Sequence, residues 1–198
     1  MPEPPSRIGL FGGTFDPPHV GHLVTAVNVR HALRLDRLLL VVANDPWQKG
    51  DQVVTPAADR LAMVEAAVRG VPGLEPSRLE IDRGGTSYTA DTLADLTSAD
   101  PSADVFLVLG SDAAAGLPTW GRVEEVRRLA RLVVVTRPGA EAARPPAGWE
   151  HTIVEVPRLE VSSTDLRARV ADGRPLDYLV PEAVVRVMRE RGLYGAAR

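Results

Sequence analysis

The sequence predicts an α/β protein: a parallel sheet with helices on both faces and further helices at the C-terminal end. Three observations lead there. Short runs rich in Val, Ile and Leu recur at residues 8–11, 38–42, 79–81, 105–109 and 132–135. Continuous apolar runs of that length suit strands buried on both faces. Helical apolar spacing fills the gaps, at 19–35, 56–68, 89–97 and 123–130, and strand–helix alternation calls for right-handed crossovers between parallel strands. The 198 residues, 44% of them hydrophobic, suit one domain with a real core, spanning 1–198.

Taken in order, the first strand ends at the pair Gly12-Gly13, which is expected to turn the chain toward the helix at 19–35. Thr55-Pro56 reads as an N-cap followed by proline at the first helical position. The stretch 137–149, rich in Pro, Gly and Ala, reads as an exposed loop. Residues 153–156 form a candidate further strand, and 163–171 and 181–191 are expected helices. No repeat or low-complexity linker interrupts this order.

Bulk properties exclude several classes. A net charge of −3 argues against a nucleic-acid surface, so an anionic ligand needs a local basic pocket. Cysteine is absent, which removes disulfides and Cys-ligated metals. The opening Met1-Pro2-Glu3-Pro4-Pro5 has neither the basic nor the apolar part of a signal peptide. No apolar run approaches spanning length. The expectation is a cytoplasmic protein off the membrane, its oligomeric state open, a homo-oligomer included. The basic residues are 22 Arg and one Lys, Lys49.

Chemistry concentrates in residues 10–22. Gly12 and Gly13 let a phosphate approach the backbone. The helix that follows offers unpaired N–H groups and a positive dipole end. His19 and His22, three residues apart on that helix, share a face and read as two proton-capable cations. The competing readings are a tight strand-to-helix turn and a zinc site, though structural zinc needs four ligands that this region does not supply.

The run Gly13-Thr14-Phe15-Asp16-Pro17 followed by His19-Val20-Gly21-His22 resembles the signature of the HxGH nucleotidyltransferases. A second run, Val161-Ser162-Ser163-Thr164-Asp165-Leu166-Arg167, resembles that superfamily's Ile-Ser-Ser-Thr-x-x-Arg helix start. Ser162 stands 140 residues after His22, and two signatures in order are far more specific than one. Across nearly the whole chain the sequence is similar to bacterial nicotinate mononucleotide adenylyltransferases. The resemblance implies a Rossmann-like sheet, with ligands at the carboxyl ends of the strands. It further implies transfer of AMP from ATP to nicotinate mononucleotide, giving deamido-NAD and pyrophosphate, with Mg²⁺ carried by the ATP phosphates and no protein metal site.

The resemblance also distributes roles. His22, His19 and Thr14 are the candidate catalytic residues. ATP falls to Gly12, Gly13, Thr14, Phe15, His19, His22, Gly110, Asp112, Ser162, Ser163, Thr164 and Arg167. The acceptor falls to Asn44, Lys49, Thr86 and Trp120, and Arg137 resembles a family arginine near the adenosine. Each has a plainer reading. Ser162-x-x-Asp165 is close to a helix capping box. Leu109-Gly110-Ser111-Asp112 could be an Asx turn, Thr86 an N-cap, Trp120 a half-buried core residue, and the Asn44–Lys49 segment a solvated loop. One departure stands out: Gly121 follows Trp120 where the family often has an aromatic. Two rivals remain: another adenylyltransferase of this fold, such as one acting on phosphopantetheine, and a catalytically silent nucleotide-binding protein.

Overall fold

The computed structural model describes residues 4–46, 54–139 and 146–196. Six strands form one parallel sheet: β1 Arg7–Gly13, β2 Arg37–Val42, β3 Leu74–Ser77, β4 Asp104–Gly110, β5 Arg131–Thr136 and β6 His151–Glu155. Among the described residues eight helices accompany them: α1 Val20–Ala32, α2 Ala57–Val68, α3 Leu79–Arg83, α4 Thr89–Ala99, α5 Ser111–Ala115, α6 Val123–Leu129, α7 Ser163–Ala171 and α8 Glu182–Arg191. The strand order is β3-β2-β1-β4-β5-β6. From β1 the chain runs outward one way through β2 and β3, then returns to β4 and runs outward the other way. The switch point lies between β1 and β4, whose central partners are Leu10 and Leu107. Crevices in such sheets open at that point, beyond the carboxyl ends of the strands.

The apolar runs divide between two cores by the two-residue period of a strand. On one face Leu38, Leu40 and Val42 of β2 join Val108 of β4 and Val133 and Val135 of β5, under Ala26 and Val29 of α1, Met63 of α2, Leu166 of α7 and Met188 of α8. On the other face Leu39, Val41, Leu107, Leu109 and Val134 pack beneath Leu93 of α4 and Val126 of α6. Runs with no polar gap are therefore what a sheet covered on both sides requires.

Several sequence expectations need correction. Residues 79–81 belong to helix α3, and the strand is β3, which begins five residues earlier at Leu74. β3 carries Pro76 at the sheet edge, where a missing donor is tolerated, so its pattern does not resemble a central strand. The pair Gly12-Gly13 continues β1, in register with Val41 and Val42, and the turn begins only at Thr14. Helix α1 stops at Ala32 rather than residue 35, because Arg34 adopts φ 49 and Leu35 N–H closes onto Arg30 O at 3.0 Å. That is the wrapped ending usually built on glycine, and no glycine announces it here. Thr55 does not cap α2; Pro56 occupies that place, and Thr55 N–H donates to Asp16 Oδ2 at 3.2 Å. Part of the 137–149 loop lies outside the described residues. Among those described, no helix is long and apolar enough to cross a membrane.

Candidate active site

A cavity of about 670 Å³ lies at the carboxyl ends of β1, β4 and β5. The two motifs meet in its wall. Ser163 at the start of α7 donates its hydroxyl to Pro17 O at 2.9 Å, and Arg167 Nη1 donates to Asp16 O at 2.7 Å. Segments almost 150 residues apart in sequence are thus stitched together by their own side chains. Ser162 acts as N-cap of α7, accepting from Asp165 N–H at 3.2 Å. The capping reading is therefore correct, and it leaves the N–H groups of Ser163 and Thr164 at the cavity wall as a positive helix end.

Local geometry explains the glycines of the first motif. A Cβ on Gly13 would meet the Phe15 ring at 2.9 Å. Phe15, with φ 51, folds back onto β1 and packs edge-on against the His22 ring, centroids 5.0 Å apart. A Cβ on Gly21 would lie 3.1 Å from the His19 ring and 3.1 Å from Val161 Cγ1. Gly21 is therefore what lets α1, the His19 imidazole and the strand-like approach to α7 close on one another.

His19 and His22 stack, centroids 3.8 Å apart and planes 28° apart. His19 N–H donates to His22 Nδ1 at 3.2 Å. That bond fixes the neutral tautomer of His22, with its proton on Nε2. Burial lowers His22 to about 3, and the neighbouring His19 lowers it further. Burial, then the Arg137 charge, lowers His19 to about 4. The pair expected as cations is therefore neutral near pH 7: low dielectric disfavours the charged ring, and a neighbouring charge, Arg137 for His19 and His19 for His22, disfavours it further. His19 Nδ1 is buried without a partner, an orphan acceptor or donor in a phosphate-sized space.

Beneath this wall sits a cation that sequence reasoning did not single out. Arg60 of α2 is 1% exposed. Its guanidinium donates to Thr55 O at 2.7 Å, Thr14 O at 2.9 Å and Asn44 O at 3.1 Å. Burial pushes its pKa down, while Asp16 and Tyr194 hold it up. Tyr194 donates its hydroxyl to Asp16 Oδ1, and burial followed by that bond raises the phenol well above its usual range.

A second, smaller cavity of about 160 Å³ opens on the other side of the β1 end. Gly12, Gly13, Ser87, Glu80 and Trp120 line it, and Thr14 lines both cavities. The segments expected to hold the acceptor are joined above it: Asn44 N–H donates to Ser87 Oγ at 2.9 Å, Asn44 Nδ2 to Gly85 O at 2.9 Å, and Ser87 N–H to Asp45 O at 3.1 Å. Thr86 is exposed and bridges Asp45. Among the described residues, no acceptor takes its N–H.

With this geometry in view, comparison with known proteins becomes specific. Residues 10–169 match the cytidylyltransferase-like family. A protein of Corynebacterium kroppenstedtii named "Probable nicotinate-nucleotide adenylyltransferase" is 46% identical over 191 residues, covering 95% of this chain and 90% of its own. One of the same name from Streptomyces coelicolor is 48% identical, covering 92% of this chain and 98% of its own. The chain belongs to the nicotinate-nucleotide adenylyltransferase family. The fold agrees with the Plasmodium falciparum nicotinic acid mononucleotide adenylyltransferase complexed with NaAD, at TM-score 0.78 and 17% identity, with 96% of this chain and 97% of that one covered.

For this member of the family the placement of the sequence candidates is uneven. Thr14, Phe15, His19, His22, Gly110, Asp112, Ser162, Ser163, Thr164, Arg167 and Arg137 all line the larger cavity. Gly12 and Gly13 line only the smaller one, with Trp120. Asn44 and Thr86 line neither cavity and are held beside the smaller one, Asn44 by its bonds to Ser87 and Gly85 and Thr86 by its bridge to Asp45; Lys49 lies outside the described residues. Arg60, Glu80, Gly21 and Tyr194 were missed. Arg60 did leave a signal: with Met63, Val64, Ala67 and Val68 it completes the buried stripe of α2, and a cation at a core position of an amphipathic helix needs buried partners.

Proposed function

We propose that the protein transfers the adenylyl group of ATP to the phosphate of nicotinate mononucleotide, giving deamido-NAD and pyrophosphate. The observation that carries this reading is Thr14. It sits at the end of β1 on the wall of both cavities, where a nucleotide in each would bring two phosphates together. A phosphate oxygen of the acceptor forms a new bond to the α-phosphorus of ATP, and the bond from that phosphorus to the bridging oxygen of pyrophosphate breaks. The acceptor phosphate is already an anion near pH 7, so no general base and no covalent enzyme intermediate are needed. Alignment of the two nucleotides supplies roughly 7–11 kcal/mol, and stabilisation of charge moving onto pyrophosphate supplies much of the rest.

In this reading His22 Nε2–H donates to the transferred phosphate. His19, the open N–H groups at the start of α7 and the remaining donors of Arg167 receive the β- and γ-phosphates. Thr14 positions the reacting groups, Phe15 holds His22, and Gly110 and Asp112 face the ribose. Gly12 and Gly13 give the acceptor close approach to β1, Trp120 stacks on its ring, Thr86 N–H meets its carboxylate, and Asn44 and Lys49 reach toward its phosphate. Among the described residues no three of His, Cys, Asp or Glu gather as a metal cage. The donors present suit a Mg²⁺ that arrives on the triphosphate, where it would neutralise the leaving group. In this reading the reaction runs in the cytoplasm, on one domain spanning residues 1–198.

The test is pyrophosphate release from ATP with a panel of acceptors. Nicotinate mononucleotide should support turnover, with nicotinamide mononucleotide at least about tenfold poorer in kcat/KM, because an amide NH₂ would face the donor Thr86 N–H. Preference for phosphopantetheine, or no pyrophosphate with any acceptor, would overturn the reading in favour of its two rivals.

A further inference from the structure

Glu80 is a carboxylate in an unusual place. It lies on α3 at 7% exposure and lines the smaller cavity among Leu10, Leu107, Leu109 and Trp120. Thr92 Oγ1 donates to its Oε1 at 2.7 Å. Among the described residues no donor meets Oε2 and no cation pairs with it. The nearest candidate, Arg83, is turned to Thr92 Oγ1 at 3.3 Å and to Asp95 at 2.6 Å. A carboxylate buried in an apolar cavity with one neutral donor is costly unless a positive group joins it. We propose that Glu80 is a specificity-determining residue that reads the positive charge of the acceptor's pyridinium ring. The inference rests on the acceptor assignment of the smaller cavity made above.

An N-ribosyl pyridine carries a formal positive charge but no N–H, so the ring can be recognised only electrostatically. The ring's own carboxylate is repelled by Glu80, and the unoccupied N–H of Thr86, next to Ser87 on the cavity wall, is the donor left to receive it. One negative and one positive group thus orient a base that is itself positive in the ring and negative at its substituent. A plain structural role for Glu80, as acceptor for Thr92, predicts no dependence on ring charge.

The experiment is calorimetric titration of the full chain and of Glu80→Gln with two acceptors: nicotinate mononucleotide and its isostere with a neutral ring, the 5′-phosphate of a 3-carboxyphenyl C-riboside. The wild-type protein should bind the pyridinium form about tenfold or more tightly, the size of one modest charge pair in a partly dry site. Glu80→Gln keeps an acceptor oxygen for Thr92. It should shrink that ratio to about twofold by weakening only the pyridinium form, with ATP binding unchanged. Equal wild-type binding of the two acceptors overturns the proposal without any variant. Equal weakening of both by Glu80→Gln overturns it in favour of the structural role. Failure of the wild type to bind either nucleotide, or to release pyrophosphate, removes the acceptor assignment itself and the proposal with it.

Discussion

The two cavities at the end of β1 are built by opposite means. The larger is assembled from distant segments through polar side chains: a histidine pair from one motif, a serine-capped helix start from the other, and an arginine bonding across 151 residues to Asp16 O. The smaller is mainly leucine, glycine and tryptophan, with one buried carboxylate. The first suits a polyanion, whose charges need many fixed donors; the second suits a flat ring, whose recognition depends on shape and one charge contrast. A two-substrate transfer needs both kinds of wall to share an edge, and Thr14, with Ala113, forms that edge.

The strongest way to break the comparison is to remove what holds both walls at once. Arg60 ties Thr14 O, the loop after β2 at Asn44 O, and the start of α2 at Thr55 O. Arg60→Met keeps the bulk and leaves those three carbonyls without their buried donor, a loss of about 3–5 kcal/mol. Urea unfolding should show a lower midpoint, and KM for both substrates should rise in what remains folded. A midpoint within about 0.5 kcal/mol of wild type would mean that the clamp is idle.

The larger wall alone is addressed by His22→Ala. Loss of a preorganised donor costs about 10²–10³ in kcat. Because His22 touches only the larger cavity, acceptor binding by calorimetry should stay within about twofold of wild type. Near-normal turnover would remove His22 from the transfer.

The histidine pair also gives the larger wall a pH signature. Folding lowers His19 to about 4 and His22 to about 3 from the ordinary 6.5. Above pH 6.5 both are neutral in the folded and unfolded chains and contribute nothing to the pH dependence. Between 6.5 and about 4 the unfolded chain binds protons that the fold refuses, so stability falls as pH falls. The double variant His19→Asn, His22→Asn should lose less stability between pH 7 and pH 4.5, by on the order of 5 kcal/mol for the two groups together, in urea titrations at the two values. Identical slopes for variant and wild type would mean that the pair is charged or solvated in the fold. ATP should pull both pKa values upward, since a polyanion favours the imidazolium.

Legibility in the sequence followed the same division. The larger wall was readable because its parts are polar residues at fixed spacing: His19 and His22, Ser162 to Arg167, Gly110 and Asp112 all arrive together. Their charge state was not readable, because it depends on burial that only packing decides. The central strands were readable from uninterrupted apolar runs. β3 was not, because an edge strand bearing Pro76 lacks that pattern, and Leu79 and Ile81 flanking Glu80 imitate a short strand. Reading 79–81 as strand passed over Glu80, whose burial depends on α3 packing at the cavity. Tyr194 acts on Asp16 from 178 positions away, a pairing that no local window contains.

The smallest and most selective effect belongs to Trp120. It follows a single 3-10 turn at Leu117–Thr119, partly buried against the second core, and lines the smaller cavity. The next residue, Gly121, has no side chain to brace the indole, but its Cβ position lies 3.5 Å from the Tyr88 ring. Tyr88 therefore approaches the place that a side chain at 121 would fill. Trp120→Ala removes ring stacking worth about 1–1.5 kcal/mol beyond burial, so KM for the acceptor should rise roughly tenfold while KM for ATP holds. Tyr88→Ala should give a weaker effect of the same selectivity if that ring braces the indole. A rise in the ATP constant equal to that in the acceptor constant would show that the two walls are not separable, and that the shared edge at Thr14 transmits damage from one cavity to the other.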